Sequence, residues 1–198
     1  MIGVSRKKSA IKIGVLALQG AFERHQKVFQ KLGFDAVQVR TPADLAKVDA
    51  FVMPGGESTT MSQLLESSEL FDPIGRRIKN GMPVFGTCAG MILLSKKILD
   101  GREDQLSFEA IDIDVQRNAY GRQIDSFEAE IEIDSLDSSF HAVFIRAPRI
   151  VSLGSEVHAL AYCGDDVVLA QQDNVMVASF HPELANDVRL HELFLEGV

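Results

Sequence analysis

The first half of the chain sets short unbroken apolar runs between segments of helical period. Ile13 to Leu18, Ala50 to Met53 and the run entered through Pro83 are continuous, the pattern of parallel strands covered on both faces. Between the first two, Phe22, His25, Phe29 and Leu32 recur at helical spacing until Gly33 stops the helix. Asp35 to Val39 reads as a second strand and Pro42 to Lys47 as a helical turn. Thr60 to Leu65 reads as a helix that Ser58 or Thr59 caps, and Asp72 opens another that runs to Asn80-Gly81. Strand alternating with helix predicts an α/β fold: a doubly wound, mostly parallel central sheet with helices on both faces. In such sheets ligands bind outside the carboxyl ends of the strands, so the loops leaving those ends are where chemistry is expected.

After Ser95 the pattern changes. Lys96 to Gln105 reads as a polar connection, and from Ile111 onward short strands dominate, adding an antiparallel, strand-rich region in the second half. Phe127 to Ile133 alternates strictly, placing an acidic side toward water. Val167 to Gln172 and Val175 to Ser179 form a hairpin around Asp173-Asn174, and a helix near Asp187 to Leu195 closes the fold.

At 198 residues the chain can bury a real core, and the reading is a single domain over 11–198 behind a loose basic tail, 1–10. A net charge of -8 with no stripe of Lys and Arg argues against nucleic-acid binding. No run is apolar enough to span a membrane, and the basic Arg6-Lys7-Lys8 precedes an apolar stretch too short for a signal core. Cys88 and Cys163 stand too far apart in sequence to suggest a disulfide framework or a metal-ligand spacing, so no metal is expected and a cytoplasmic location fits.

One of those cysteines has a chemical setting. Gly86-Thr87-Cys88-Ala89-Gly90 joins a strand to an apolar helix, so Cys88 occupies the apex of a sharp turn, the logic of a nucleophile elbow with sulfur in place of oxygen. The first turn of the following helix offers unpaired N–H groups that favour thiolate. Upstream, Pro54-Gly55-Gly56 leaves the third strand with a backbone able to approach a ligand closely, as an oxyanion hole requires. Downstream, Phe180-His181-Pro182-Glu183 ends a strand; in an extended segment His181 and Glu183 share a side, so the carboxylate can orient the imidazole. Arg117 and Arg146 end apolar runs and could hold a substrate carboxylate, or pair with surface acids. His25 reads as a partly buried histidine of its helix stripe, and His141, His158 and His191 lack a catalytic setting.

Taken in order, Leu18-Gln19-Gly20-Ala21, Pro54 to Thr60, Gly86 to Gly90, Gly121-Arg122-Gln123 with Asp125 to Glu128, Phe144 to Pro148 and Ser179 to Leu184 resemble the class I, triad-type glutamine amidotransferases, and among them the glutaminase subunits of pyridoxal 5'-phosphate synthases. The resemblance implies hydrolysis of L-glutamine to L-glutamate and ammonia, with Cys88 as nucleophile, His181 as acid and base and Glu183 as its orienter. It implies that Gly56, Glu57, Ser58, Arg117, Ile145 and Arg146 bind glutamine and that N–H groups near Gly56 and Ala89 hold the oxyanion. It further implies a partner, the synthase subunit that accepts the ammonia, in a large hetero-oligomer, with Gln19-Gly20 and the following helix as docking edge. No cofactor is implied, since pyridoxal 5'-phosphate is the product of the complex. Three rivals stay open: a glutaminase subunit serving another acceptor, such as that of the histidine pathway; a hydrolase or chaperone of the related cysteine-elbow type; and a catalytically silent docking subunit of the same fold.

Overall fold

The computed structural model describes residues 11–117 and 126–198; the expected tail at 1–10 and the Gly121 to Asp125 block lie outside them. Five parallel strands, β1 (Lys12–Leu16), β2 (Asp35–Val39), β3 (Ala50–Met53), β4 (Val84–Thr87) and β12 (Val175–Ala178), form the centre of the main sheet. Two more, β10 (His158–Cys163) and β11 (Asp166–Gln172), extend it antiparallel, giving the order β10-β11-β12-β4-β3-β1-β2.

Helices cover both faces, as the alternation of elements predicts. Leu16, Phe51, Met53 and Val84 belong to one buried cluster with Met61 and Leu65 of α3 (Ser58–Ser67), Ile74 and Ile78 of α4 (Phe71–Lys79) and Met91 of α5 (Ala89–Leu94). On the other face, Ile13, Val15, Val52 and Phe85 pack with Phe29 of α1 (Phe22–Lys31) and with Leu190 and Phe194 of α6 (Arg189–Leu195). Burial on both faces is why these strands read as unbroken apolar runs. The small α2 (Pro42–Leu45) carries a capping box, Thr41 accepting from the Asp44 N–H while the Asp44 carboxylate accepts from the Thr41 N–H.

Beside the main sheet lie two smaller ones. The first joins β5 (Ser95–Ile98), β6 (Ile111–Gln116) and β9 (Arg149–Leu153); the second is the pair β7 (Ser126–Ile131) and β8 (Phe140–Ile145). The polar connection expected from Lys96 therefore begins as a strand. It pairs parallel with β6, and the two lysines face solvent while Ser95 is buried, so two consecutive charges conceal a strand that is exposed over half its length. In β7 the acidic side does face water, but it is not merely solvated: Glu130 and Glu128 take the two ring nitrogens of His141 at 2.7 and 2.9 Å.

Candidate active site

Register brings the expected site together. Met53 of β3 pairs with Gly86 of β4, and Ala178 of β12 pairs with Thr87, so Gly55, Cys88 and His181 all leave the sheet at one carboxyl edge. Cys88 has φ 49 and ψ −105, a conformation side chains rarely adopt. Its N–H donates to Ala178 O at 2.8 Å and its carbonyl accepts from Ile92 N at 3.2 Å, which pins the apex from both sides. The strain thus falls on the cysteine, not on the flanking glycines. Those serve close approach: a Cβ on Gly90 would stand 2.0 Å from Met53 O, and one on Gly86 2.5 Å from Leu94 Cδ1.

His181 and Glu183 meet by a different route from the extended segment that alternation suggests. Pro182–Leu184 is a single 3-10 turn begun by the proline, and His181 Nδ1 lies 2.8 Å from Glu183 Oε1. The Glu183 side chain is fully buried, and Oε2 sits 3.2 Å from His25 Nε2. Burial opposes ionisation of this carboxyl, yet the neighbouring His25 and the hydrogen bond from His181 outweigh it and hold the group well below the usual carboxylate range. Burial likewise pulls His181 down, but hydrogen bonding to Cys88 and Glu183 prevails and pushes it up to about 10. An imidazolium beside the thiol is what a poised cysteine nucleophile requires.

The glycine loop after β3 lies against this pair. A Cβ on Gly55 would fall 2.4 Å from His181 Cε1 and 3.3 Å from Cys88 Cβ. Gln19 braces the loop through its side-chain oxygen, which accepts the Glu57 N–H at 2.9 Å, and Ala21 N donates to Gly55 O at 3.3 Å. The side chain of Gln19 is therefore turned inward to the glycine loop. Neither Ser58 nor Thr59 caps α3. Glu57 does, its carboxylate accepting from Thr59 N at 3.0 Å and Thr60 N at 2.7 Å, and the helix starts two residues earlier than its apolar period suggests. Those bonds overcome the cost of partial burial and lower the Glu57 pKa.

A cavity of about 390 Å³ opens over Cys88 and His181, lined also by Gly56, Glu57, Ser58, Arg117, Ile145 and Arg146. Every residue expected to bind glutamine is therefore at one cavity, and Ala89, the first residue of α5, follows Cys88 directly. Ile145 carbonyl lies 4.0 Å from Cys88 Sγ. Arg146 has φ 42 and an exposed side chain, whereas Arg117 is tethered, donating to Thr59 Oγ1 at 2.7 Å and Gln105 Oε1 at 2.9 Å. Gln105 also donates to Ser58 Oγ at 3.0 Å. Sequence reasoning passed over Gln105 inside a polar connection, where no period or motif marks it. His25, expected as a partly buried histidine of its helix stripe, is fully buried, and it lies with His191 behind the site and not on its surface.

A thiol at a strand-to-helix elbow, with its imidazole delivered from the neighbouring parallel strand and a carboxylate behind it, places the chain in the class of triad-type glutamine amidotransferases. The chain belongs to the SNO glutamine amidotransferase family, whose model matches residues 15–198. It is similar to the pyridoxal 5'-phosphate synthase subunit PdxT of Thermosipho africanus, 52% identical over 188 residues that cover 95% of this chain and 99% of the relative. The subunit of the same name from Desulforamulus reducens is 52% identical over 94% of this chain and 98% of its own. A crystal structure described as a glutamine amidotransferase superposes with a TM-score of 0.89 at 45% identity, covering 93% of this chain and 97% of that one.

Proposed function

We propose that the chain hydrolyses L-glutamine through Cys88, His181 and Glu183 and supplies the ammonia to a pyridoxal 5'-phosphate synthase subunit. The observation that carries the chemistry is the elbow cysteine beside an imidazole whose other nitrogen is held 2.8 Å from a buried carboxylate. The relatives named as synthase subunits, matched along nearly their whole length, support this acceptor over that of the histidine pathway.

The thiolate attacks the side-chain amide carbon, and N–H groups of Gly56 and Ala89 receive the charge that develops on oxygen. The imidazolium of His181 passes its proton to the amide nitrogen, which leaves as ammonia and forms the glutamyl thioester. Water then gives a proton back to His181 and attacks the thioester, freeing glutamate and the thiolate. The cavity's two arginines are the natural partners of the substrate carboxylate, and Arg146, unpaired among the described residues, has its guanidinium to offer. No step calls for a metal or an organic cofactor. Docking at Gln19-Gly20 would act directly on the oxyanion loop, because Gln19 holds Glu57 N and Gly20 touches Gly55. Among the described residues no helix is long and apolar enough to cross a membrane, and both cysteines are free, which supports a cytoplasmic site of action.

The test is ammonia release from L-glutamine by the chain alone and with the synthase subunit, Cys88→Ala serving as control. Release that depends on Cys88 and rises with the synthase is expected. Release that Cys88→Ala leaves intact overturns the assignment of the nucleophile, and release indifferent to the synthase overturns the acceptor.

A further inference from the structure

Behind Glu183 the fold buries two more histidines that the reaction above does not use. His25 comes from α1 and His191 from α6, and neither exposes any surface. His25 Nδ1 lies 3.0 Å from His191 Nε2, while His25 Nε2 lies 3.2 Å from both Glu183 Oε2 and Thr87 Oγ1. Edge-on aromatic rings enclose the far histidine, Phe29 at 5.1 Å and Phe85 at 6.1 Å between centroids, and its Nδ1 has no partner among the described residues. A buried imidazole facing a catalytic carboxylate, with a second one behind it from a separate helix, is costly to assemble unless the pair acts on it.

The proton positions follow from which nitrogens have partners. Burial and the neighbouring His25 push His191 down to about 3, so it is neutral and carries one proton. That proton belongs on Nε2, since a buried N–H with no acceptor is costlier than a bare lone pair. His25 Nδ1 then accepts, which leaves a proton on Nε2 facing Thr87 Oγ1 and Glu183 Oε2, each 3.2 Å away. The carboxylate receives His181 on Oε1, while Oε2 has no hydrogen-bond partner of full geometry among the described residues and His25 Nε2, 3.2 Å away, is placed to supply one. We propose that His25 is a positioning residue for glutamine hydrolysis, fixed in one tautomer by His191, that holds the second oxygen of Glu183 and so keeps that carboxylate ionised and aimed at His181. This inference rests on the triad reading given above.

The test is steady-state kinetics of His25→Leu and His25→Gln in complex with the synthase subunit, with pH profiles, alongside nitrogen-15 NMR of the wild-type imidazoles. Leucine removes the donor to Glu183, whereas glutamine can restore it. The expected loss in kcat for leucine is about ten- to a hundredfold, the worth of one hydrogen bond to a buried charge. KM should stay within about twofold, because His25 does not reach the cavity, and glutamine should recover most of the rate. The titratable groups around this carboxylate are His25, His181 and His191, with Cys88 beyond His181. Losing His25 raises the pH at which Glu183 takes a proton, so the acid limb of kcat/KM moves up in the leucine variant. Unchanged kcat in leucine, or equal loss in leucine and glutamine with no shift of the limb, overturns the proposal. So does an NMR spectrum with the His191 proton on Nδ1, a readout that holds even where a variant misfolds. Absence of Cys88-dependent release in the wild type would instead sink the triad reading, and the NMR result would still decide the hydrogen-bonded chain.

Discussion

Gly55→Ala isolates the geometry of the site from the stability of the fold. The new Cβ would lie 2.4 Å from His181 Cε1 and 3.0 Å from its Nδ1, against about 3.5 to 4.0 Å for a relaxed carbon contact. More than about 1 Å of displacement is needed to relieve it. The loop cannot retreat, because Ala21 N already donates to Gly55 O and a Cβ on Gly20 would stand 1.8 Å from that oxygen. The imidazole must yield instead, away from Cys88 and against its bond to Glu183. A misplacement of about 1 Å in a reacting group costs on the order of a hundredfold in rate. Overpacking of this kind costs about 1 to 3 kcal/mol of stability, a fall in Tm of about 2 to 4 °C for each kcal/mol in a chain of this size. Initial rates of ammonia release at saturating glutamine with the synthase subunit present, and a thermal melt of the same preparation, check both figures. A folded variant with kcat within about threefold of wild type refutes the reasoning, since it would mean that His181 is free to move without loss.

Gln105→Leu should raise KM for glutamine about tenfold with little change in kcat, because it frees both Arg117 and Ser58 Oγ at the binding cavity while leaving Cys88 and His181 in place. A saturation curve decides it. Stability should fall on both sides of neutrality in a denaturant series from about pH 4 to about pH 10. His191 has its folded value lowered to about 3, so between 6.5 and there the unfolded chain binds a proton that the fold refuses, and stability drops as pH falls. Glu183, also lowered, contributes stability above 4.5 and loses it as pH falls further. His181, raised to about 10, contributes fully below 6.5 and loses that contribution as pH rises through about 10. His191→Phe should flatten the acid slope between 6.5 and about 3, and an unchanged slope would show that His191 is not its source.

The sheet was legible because burial on two faces writes itself into the sequence as unbroken apolar runs, and the elbow because a small set of glycines must flank it. What escaped had no local period. β5 hides behind Lys96 and Lys97, whose outward charges read as a connection, and the cap of α3 falls to Glu57 where the usual preference is for Ser or Thr. His181 and Glu183 were paired correctly but through a 3-10 turn, since Pro182 favours the start of a helix as readily as an extended link. His25 was legible as a buried histidine on a helix stripe. Its partners come from residues 62, 158 and 166 positions away, a distance at which no single sequence records contact.

The glycines of the site divide into two kinds, and this division predicts which changes harm the fold and which harm the rate. A Cβ on Gly90 would meet Met53 O at 2.0 Å, backbone of a central strand whose partners on both sides are fixed. Nothing there can yield without parting α5 from β3, and Cys88 depends on that contact. The apex stores about 1 to 3 kcal/mol of strain, held by the bonds to Ala178 and Ile92 and by the depth to which α5 is seated. Gly90→Ala should therefore reduce folded protein and Tm more than Gly55→Ala does, and lose activity through the population of folded chain. Activity per folded molecule, with the folded fraction taken from a thermal melt of the same preparation, separates the two. It should collapse for Gly55→Ala with the fold intact, and the reverse order would mean that the elbow tolerates movement of its helix and that the strain is maintained from the β12 side alone.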